Sequence, residues 1–139
     1  MTAPFNKFNS TVDALSKKLL NLSSDTMKVV FTNAAPVATN VAYTDLTSEV
    51  ANGNGYTTGG LATTPTLSNS SGTEKLVCVN VTLTATGAVG PFRYVVLIDA
   101  TATGHELIGW WDYGSSISLA NGDTFTVSFD ATNGVLTIA

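Results

Sequence analysis

The sequence predicts a mainly β protein, an antiparallel β-sandwich or jelly-roll-like barrel with one N-terminal α-helix, and three observations predict it. Apolar residues alternate with a period of two through most of the chain. Gly, Asn, Ser and Pro punctuate it every ten to fifteen residues, and strands do not alternate with helices as in a parallel α/β sheet. At 139 residues one domain is expected, with residues 4–22 as the helix and 26–139 as the sandwich.

The helix rests on Phe5, Phe8, Val12, Leu15, Leu19 and Leu22, whose steps of three and four place them on one stripe of a 3.6-residue period. Pro4 suits a first helical turn, preceded by Thr2 or Ala3, and Asn21 to Ser24 supplies a stop. Two placements follow for the stripe: against the protein's own sheet, or outward onto a neighbouring subunit.

After Asp25 the period changes. Met27, Val29 and Phe31 alternate with Lys28, Val30 and Thr32, the pattern of a strand with one buried face. Val41 to Val50 fits neither period cleanly. Leu61 to Leu67 reads as a short strand and Ser68 to Gly72 as a polar loop, while Val77, Val79, Val81 and Leu83 alternate over one longer strand. Gly87 to Pro91 turns the chain. Phe92 to Ile98 is apolar on both faces apart from Arg93, as a central strand covered on each side should be. Leu107 to Tyr113 follows after a turn at Ala100 to Glu106. Phe125, Val127 and Phe129 alternate after Asn121-Gly122, and Val135 to Ile138 follows Asn133-Gly134, each Asn-Gly being a strong short hairpin signal. The total is seven or eight short strands.

Composition excludes several functions. A net charge of −4 without a basic run is unsuited to nucleic acid, because phosphate binding requires clustered Lys or Arg, and only Lys17-Lys18 are adjacent. No stretch approaches the 18 to 20 apolar residues that cross a bilayer, and Met1 to Lys7 does not lead into the apolar core of a secretory signal. Synthesis and retention in a cytosol until assembly are therefore expected. The lone Cys78, within Leu76-Val77-Cys78-Val79, is expected as a small buried hydrophobe with no disulfide. Charged residues make up 12% of the chain against 44% hydrophobic ones, which leaves few charges to keep a free monomer soluble and points to a surface covered by partners.

No catalytic constellation emerges. The glycine-rich run Ala51 to Gly60 lacks the Lys and the following helix that phosphate-cradling loops need, so it reads as a tight turn or a contact with another chain. His105 stands in a turn with only Glu106 beside it, short of a zinc ligand set. No serine sits in a Gly-x-Ser-x-Gly elbow. The acids occupy turn contexts, such as Asp99 before Ala-Thr, Asp123 after Asn-Gly and Asp130 before Ala-Thr-Asn-Gly, where Asp caps backbone. Neither an enzyme nor a cofactor or metal is expected. Trp110-Trp111-Asp112-Tyr113 stands out, because aromatic faces bind sugars and anchor protein interfaces. Adjacent strand residues point to opposite faces, so either one Trp fills the core while the other meets a partner, or both are core. Phe5, Phe8, Val12, Leu15, Leu19, Trp110, Trp111 and Tyr113 are thus the candidate interface residues.

Four segments together resemble small structural proteins of tailed bacteriophages: Gly53-Asn54-Gly55-Tyr56-Thr57-Thr58-Gly59-Gly60, Gly90-Pro91-Phe92-Arg93-Tyr94-Val95-Val96-Leu97, Leu107-Ile108-Gly109-Trp110-Trp111-Asp112-Tyr113-Gly114 and Asn121-Gly122-Asp123-Thr124-Phe125-Thr126-Val127. The resemblance runs over nearly the whole chain, but its motifs are turn and core signatures without chemistry. It implies a virion component, assembled in the host cytoplasm, whose partners are other virion proteins. The leading expectation is a capsid decoration (cement) protein on the outer surface of the head, bound to the major capsid protein as a homo-oligomer such as a trimer. The alternative is a tail or fibre component, in which Trp110 or Trp111 would serve a receptor-binding module.

Overall fold

The computed structural model describes residues 3–139; Thr2, one of the two residues suggested to precede the helix, lies outside them. The elements in chain order are β1 (Asn6–Lys7), α1 (Ser10–Ser16), β2 (Met27–Thr32), a 3₁₀ turn at Tyr43–Asp45, β3 (Leu61–Thr63), β4 (Pro65–Ser70), β5 (Thr73–Cys78), β6 (Val81–Thr84), β7 (Val89–Asp99), β8 (Leu107–Leu119), β9 (Thr124–Val127) and β10 (Leu136–Ile138). The fold is mainly β and sandwich-like, with antiparallel sheets and a single helix. A five-stranded sheet runs β1-β8-β7-β2-β3, and two smaller sheets, β10-β5-β4 and β6-β9, contribute to the layer opposite it.

The central strand is β7, paired with β2 along Met27 to Thr32 and with β8 along most of its length. Its side chains from Val95 to Asp99 are buried on both faces. Val95 and Leu97 join Met27, Val29, Phe31, Leu76 and Leu83 in the main core between the layers. Val96 and Ile98 face the other way and form a second cluster with Phe8, Val30 and Leu107, flanked by Tyr43, Leu46 and Trp110. Two-sided cover begins only at Val95. Arg93 and Tyr94 are half-buried beside a register shift between Phe92 and Tyr94, and the Arg93 guanidinium forms a two-pronged ion pair with Asp112 at 2.7 and 2.9 Å.

The helix spans Ser10–Ser16 and not residues 4–22. Extended Asn6 and Lys7 pair instead with Trp110 and Gly109 on the outer edge of β8, satisfying backbone groups that a helix would have left open. Phe5 and Phe8 then fall on opposite sides of the sheet, Phe5 against the main core and Phe8 in the outer cluster. The buried helical residues are Thr11 and Ala14, and the Thr11 hydroxyl lies 3.1 and 2.9 Å from the carbonyls of Leu107 and Ile108 as donor. Lys18, at φ 62°, ends the helical course. Beyond it Leu20 and Leu22 turn back into the core, while Val12 and Leu19 stay 53% and 48% exposed. The helix packs on β8 of its own sheet, and its buried residues, Thr11 and Ala14, are not those of the expected apolar stripe.

Three strand assignments also change. The run Val77 to Leu83 is two strands, β5 and β6, which separate at Val79 and Asn80; Val79 is exposed, and Asn80 Oδ1 accepts the Phe129 N–H. Residues 68–70 continue β4, so the polar loop shrinks to Ser71-Gly72, both at positive φ (52° and 84°) as a tight two-residue hairpin requires. Neither Asn-Gly closes a hairpin between the strands it separates: β9 pairs with β6, and β10 pairs with β5.

The glycine-rich loop is a defined bend. Gly53 and Tyr56 exchange backbone hydrogen bonds at 2.8 and 3.1 Å, and Gly60, at φ +101°, lies so close to Val29 that a Cβ would strike its carbonyl. Glu49 clamps this loop to the sheet. Its carboxylate accepts from the Tyr56 hydroxyl at 2.8 Å, the Gly59 N–H at 2.7 Å and the Tyr43 hydroxyl. The Tyr56 oxygen in turn accepts the Phe31 N–H at 3.3 Å. Burial first, and the neighbouring Glu49 second, push the Tyr43 phenol up to about 12 and the Tyr56 phenol higher still. Removing the carboxylate strands three donors, two of them on partly or fully buried tyrosines. Glu49→Ala is therefore expected to lower stability by about 3 kcal/mol in urea denaturation, with new protease cleavage between residues 51 and 60.

Candidate functional site

At one edge of the sandwich the two layers do not close. A groove of about 760 Å³ opens there between Ala3 to Phe5, the inner face of β7 and β8, the strand β9 with its following turn, and the approach to β10. Its apolar surfaces come from Val95, Trp111, Phe125 and Phe129, with Tyr113 at the margin and the polar residues Thr124, Thr126, Ser128 and Asp130 along one wall.

Local geometry explains why these side chains meet. The register shift between Leu97 and Ile98 lets both Ile108 and Trp111 reach the main core, while Leu107 and Trp110 face the outer cluster. Gly109, opposite Leu97, leaves a space that the Phe5 ring occupies; a Cβ there would overlap Phe5 and come 2.8 Å from the Asn6 carbonyl. Phe5 thereby stacks on Trp111 with centroids 5.3 Å apart, and Trp111 meets Phe129 edge-on at 5.7 Å. Tyr113 meets Phe125 at 5.5 Å, and Phe125 continues inward to Phe92 at 5.1 Å and Phe31 at 5.8 Å. Since Phe31 touches Tyr56 at 5.7 Å, aromatic contacts run unbroken from the groove margin to the Glu49 clamp.

Of the eight interface candidates, the structure gathers Phe5, Trp111 and Tyr113 around this groove. Phe8 is fully buried and stacks on Trp110 at 4.6 Å on the opposite side of the sheet. Leu15 is half-buried against the main core, whereas Val12 and Leu19 stand exposed on the helix, away from any shared stripe with Phe5 and Phe8. Both tryptophans are thus half-buried packing residues on opposite faces, and Tyr113, 46% exposed, is the most open aromatic of the set. Phe125 and Phe129 carry an ordinary strand alternation; Phe129 is a buried core residue and Phe125 is half-buried, and no sequence signal marks that both also line a groove.

The chemistry of the groove is contact and stacking. Its one carboxylate, Asp130, is held below its ordinary value by hydrogen bonds from Asn133 first, and is occupied in capping the turn: Oδ1 accepts from the Thr132 and Asn133 N–H groups at 2.8 and 2.9 Å. Asp99 likewise accepts from Thr101 and Ala102, and Asp123 from Ala120. Among the described residues no group of three or more His, Cys, Asp or Glu gathers, and no helix is long and apolar enough to cross a membrane. His105 stands exposed at φ 48°. Cys78 is buried, and burial pushes its thiol up to about 12, so it is a poor nucleophile. Compared with known proteins, the chain matches no protein-family model, no curated protein and no solved structure.

Groove and fold are separable at Tyr113. Tyr113→Ala is expected to change unfolding free energy by less than about 1 kcal/mol, whereas Trp111→Ala, which removes the ring between Phe5 and Phe129, costs about 3 kcal/mol. Paired denaturation curves check both.

Proposed function

We propose that this chain is a structural protein of a tailed-bacteriophage virion, a capsid decoration (cement) protein that binds the outer surface of the head through the major capsid protein as a homo-oligomer. The observation that carries this reading is the aromatic groove: half-buried Phe5, Trp111 and Phe125 and the 46% exposed Tyr113 reach its surface, on a scaffold otherwise given over to packing. Large aromatic side chains supply much of the binding energy in protein interfaces. A decoration protein needs only a modest interface per copy, because copies linked to one another on a repeating lattice bind multivalently. The low charge and the resemblance to virion proteins support the same reading.

A second reading, a tail or fibre component with a receptor-binding module, is favoured by one feature. Tyr113 is 46% exposed beside the half-buried Trp111 and Phe125, and open aromatic faces suit the apolar faces of a sugar.

The test uses purified particles and the isolated protein. Quantitative mass spectrometry is expected to find hundreds of copies per particle, mapped to the head. Stripping them should lower the temperature at which particles release DNA, and adding the protein back should restore it. Tyr113→Glu, a change at a 46% exposed position, is expected to weaken rebinding to stripped heads at least tenfold while leaving the denaturation curve close to that of the parent. Unchanged heat stability with no copies on the head refutes the decoration reading, and tens of copies confined to the tail favour the second.

A further inference from the structure

Asp99 is the one buried charged residue among the described residues, fully enclosed at the end of the central strand. Its Oδ1 accepts the N–H groups of Thr101 and Ala102 at 3.0 and 3.1 Å, the hydrogen bonds of an Asp-capped turn. Its Oδ2 is buried and has no donor at all, among the described residues the only buried side-chain polar atom in that position. A buried acceptor without a partner is costly, and an unpartnered carboxylate oxygen more so.

The acid in the turn packed beside it is Asp25. The backbone brings the two together: the Thr26 N–H donates to Thr101 Oγ1 at 2.8 Å, the Ala100 N–H donates to the Thr26 carbonyl at 2.8 Å, and Met27 pairs with Asp99. Asp25 in turn accepts the Asn21 N–H through Oδ2 at 2.8 Å, closing the 21–26 turn. The other charged groups of the packed elements are engaged elsewhere. Lys28 pairs across with Ile98, one step along, and so leaves from the opposite side of the sheet; Glu106 meets Asp99 through its backbone carbonyl, and its carboxylate lies over Gly104; His105 is exposed.

What lies between the two acids follows from ligand number. A calcium ion takes six to eight oxygens and magnesium an octahedron, whereas this corner offers two carboxylates and no third acid. A proton needs two oxygens. We propose that Asp25 and Asp99 share one proton, which latches the 21–26 turn to the turn between β7 and β8 in acid and releases it as the medium becomes alkaline.

The direction of the effect is set by burial. Burial first, and the Asp25 carboxyl second, push Asp99 up from 3.8 to about 7, against the opposing pull of the two backbone N–H bonds. The folded chain therefore holds more protons than the unfolded chain between these two values. Stability is greatest at the lower end of that window, falls as pH rises through it, and levels off above. Above it the ionised Asp99 keeps a buried Oδ2 that no donor meets.

The test compares the thermal unfolding of the protein with that of Asp99→Asn and Asp25→Asn from pH 4.5 to 8. An amide at either position supplies permanently the hydrogen that the proton supplies in the parent. The parent's Tm is expected to fall across this range by roughly 5 °C or more relative to both variants, and amide exchange of Ser24 and Asp25 to quicken in parallel. Carboxyl carbon NMR of the unmodified protein reads the same event without substitution: the Asp99 resonance should titrate near neutrality. A midpoint near 4, or variants whose Tm tracks the parent at every pH, overturns the proposal. So does calcium that raises the Tm of the parent at pH 8 but not that of Asp99→Asn, since the occupant would then be a metal ion.

Discussion

Between Val95 and Asp99 the central strand has no face to give to water, and two layers must cover it. The inner layer is easily supplied, because β5, β6 and β9 bring alternating Leu, Val and Phe to it. The outer one has no sheet of its own. It is assembled from Phe8, the 3₁₀ turn with Tyr43 and Leu46, and Trp110, all held over Val30, Val96 and Ile98. Burying a few large side chains there yields about 2 kcal/mol apiece, and that gain justifies threading the amino-terminal segment back along the edge of β8.

The polar interactions then act as ties between irregular segments and the sheet. Glu49 holds the glycine-rich loop through the Tyr56 phenol and the Gly59 amide and ties the 3₁₀ turn through the Tyr43 phenol; Thr11 holds the helix through its hydroxyl; Asn80 holds the turn after β9. Each tie is a short, directional bond at a place where apolar contact alone would leave the segment free to slide. The groove is what remains where such ties are absent, between β9 and the amino-terminal segment, and its phenylalanines connect it by contact to the most firmly tied part of the molecule.

Much of the sheet was legible in the sequence because strand alternation and burial share one cause. Met27 to Phe31 and Phe92 to Ile98 read as strands for that reason, but their cover did not: Val30 and Thr32, expected opposite the buried face, are themselves fully buried, and the central strand is covered on both sides only from Val95. The helix did not, because Phe5 and Phe8 satisfy a helical spacing while serving a strand, three residues apart but on opposite faces of the sheet. Local period is blind to an open strand edge 104 residues away, which is where Asn6 finds Trp110. The Asn-Gly pairs misled for a related reason: they mark a turn, and the turn alone does not say which strand receives the next one. Of the groove, Trp111 and Tyr113 were visible as an unusual aromatic cluster; Phe125 and Phe129 were not, since Phe129 is an ordinary buried core residue and Phe125 differs from one only in being half-buried. Asp99 was correctly seen to cap a turn, but its second oxygen and the nearness of Asp25 belong to the fold alone.

The pairing of Asn6 with Trp110 also bears on how the molecule comes into being. On a ribosome adding about 5 to 20 residues per second, the first strand must wait several seconds before its partner is even synthesised. The central strand and β8 likewise arrive after most of the nascent chain has emerged. Phe5 and Phe8 spend that interval without the strand they pack against. Completion is thus nearly all-or-none and late, a burden that topology alone places on a chain this short.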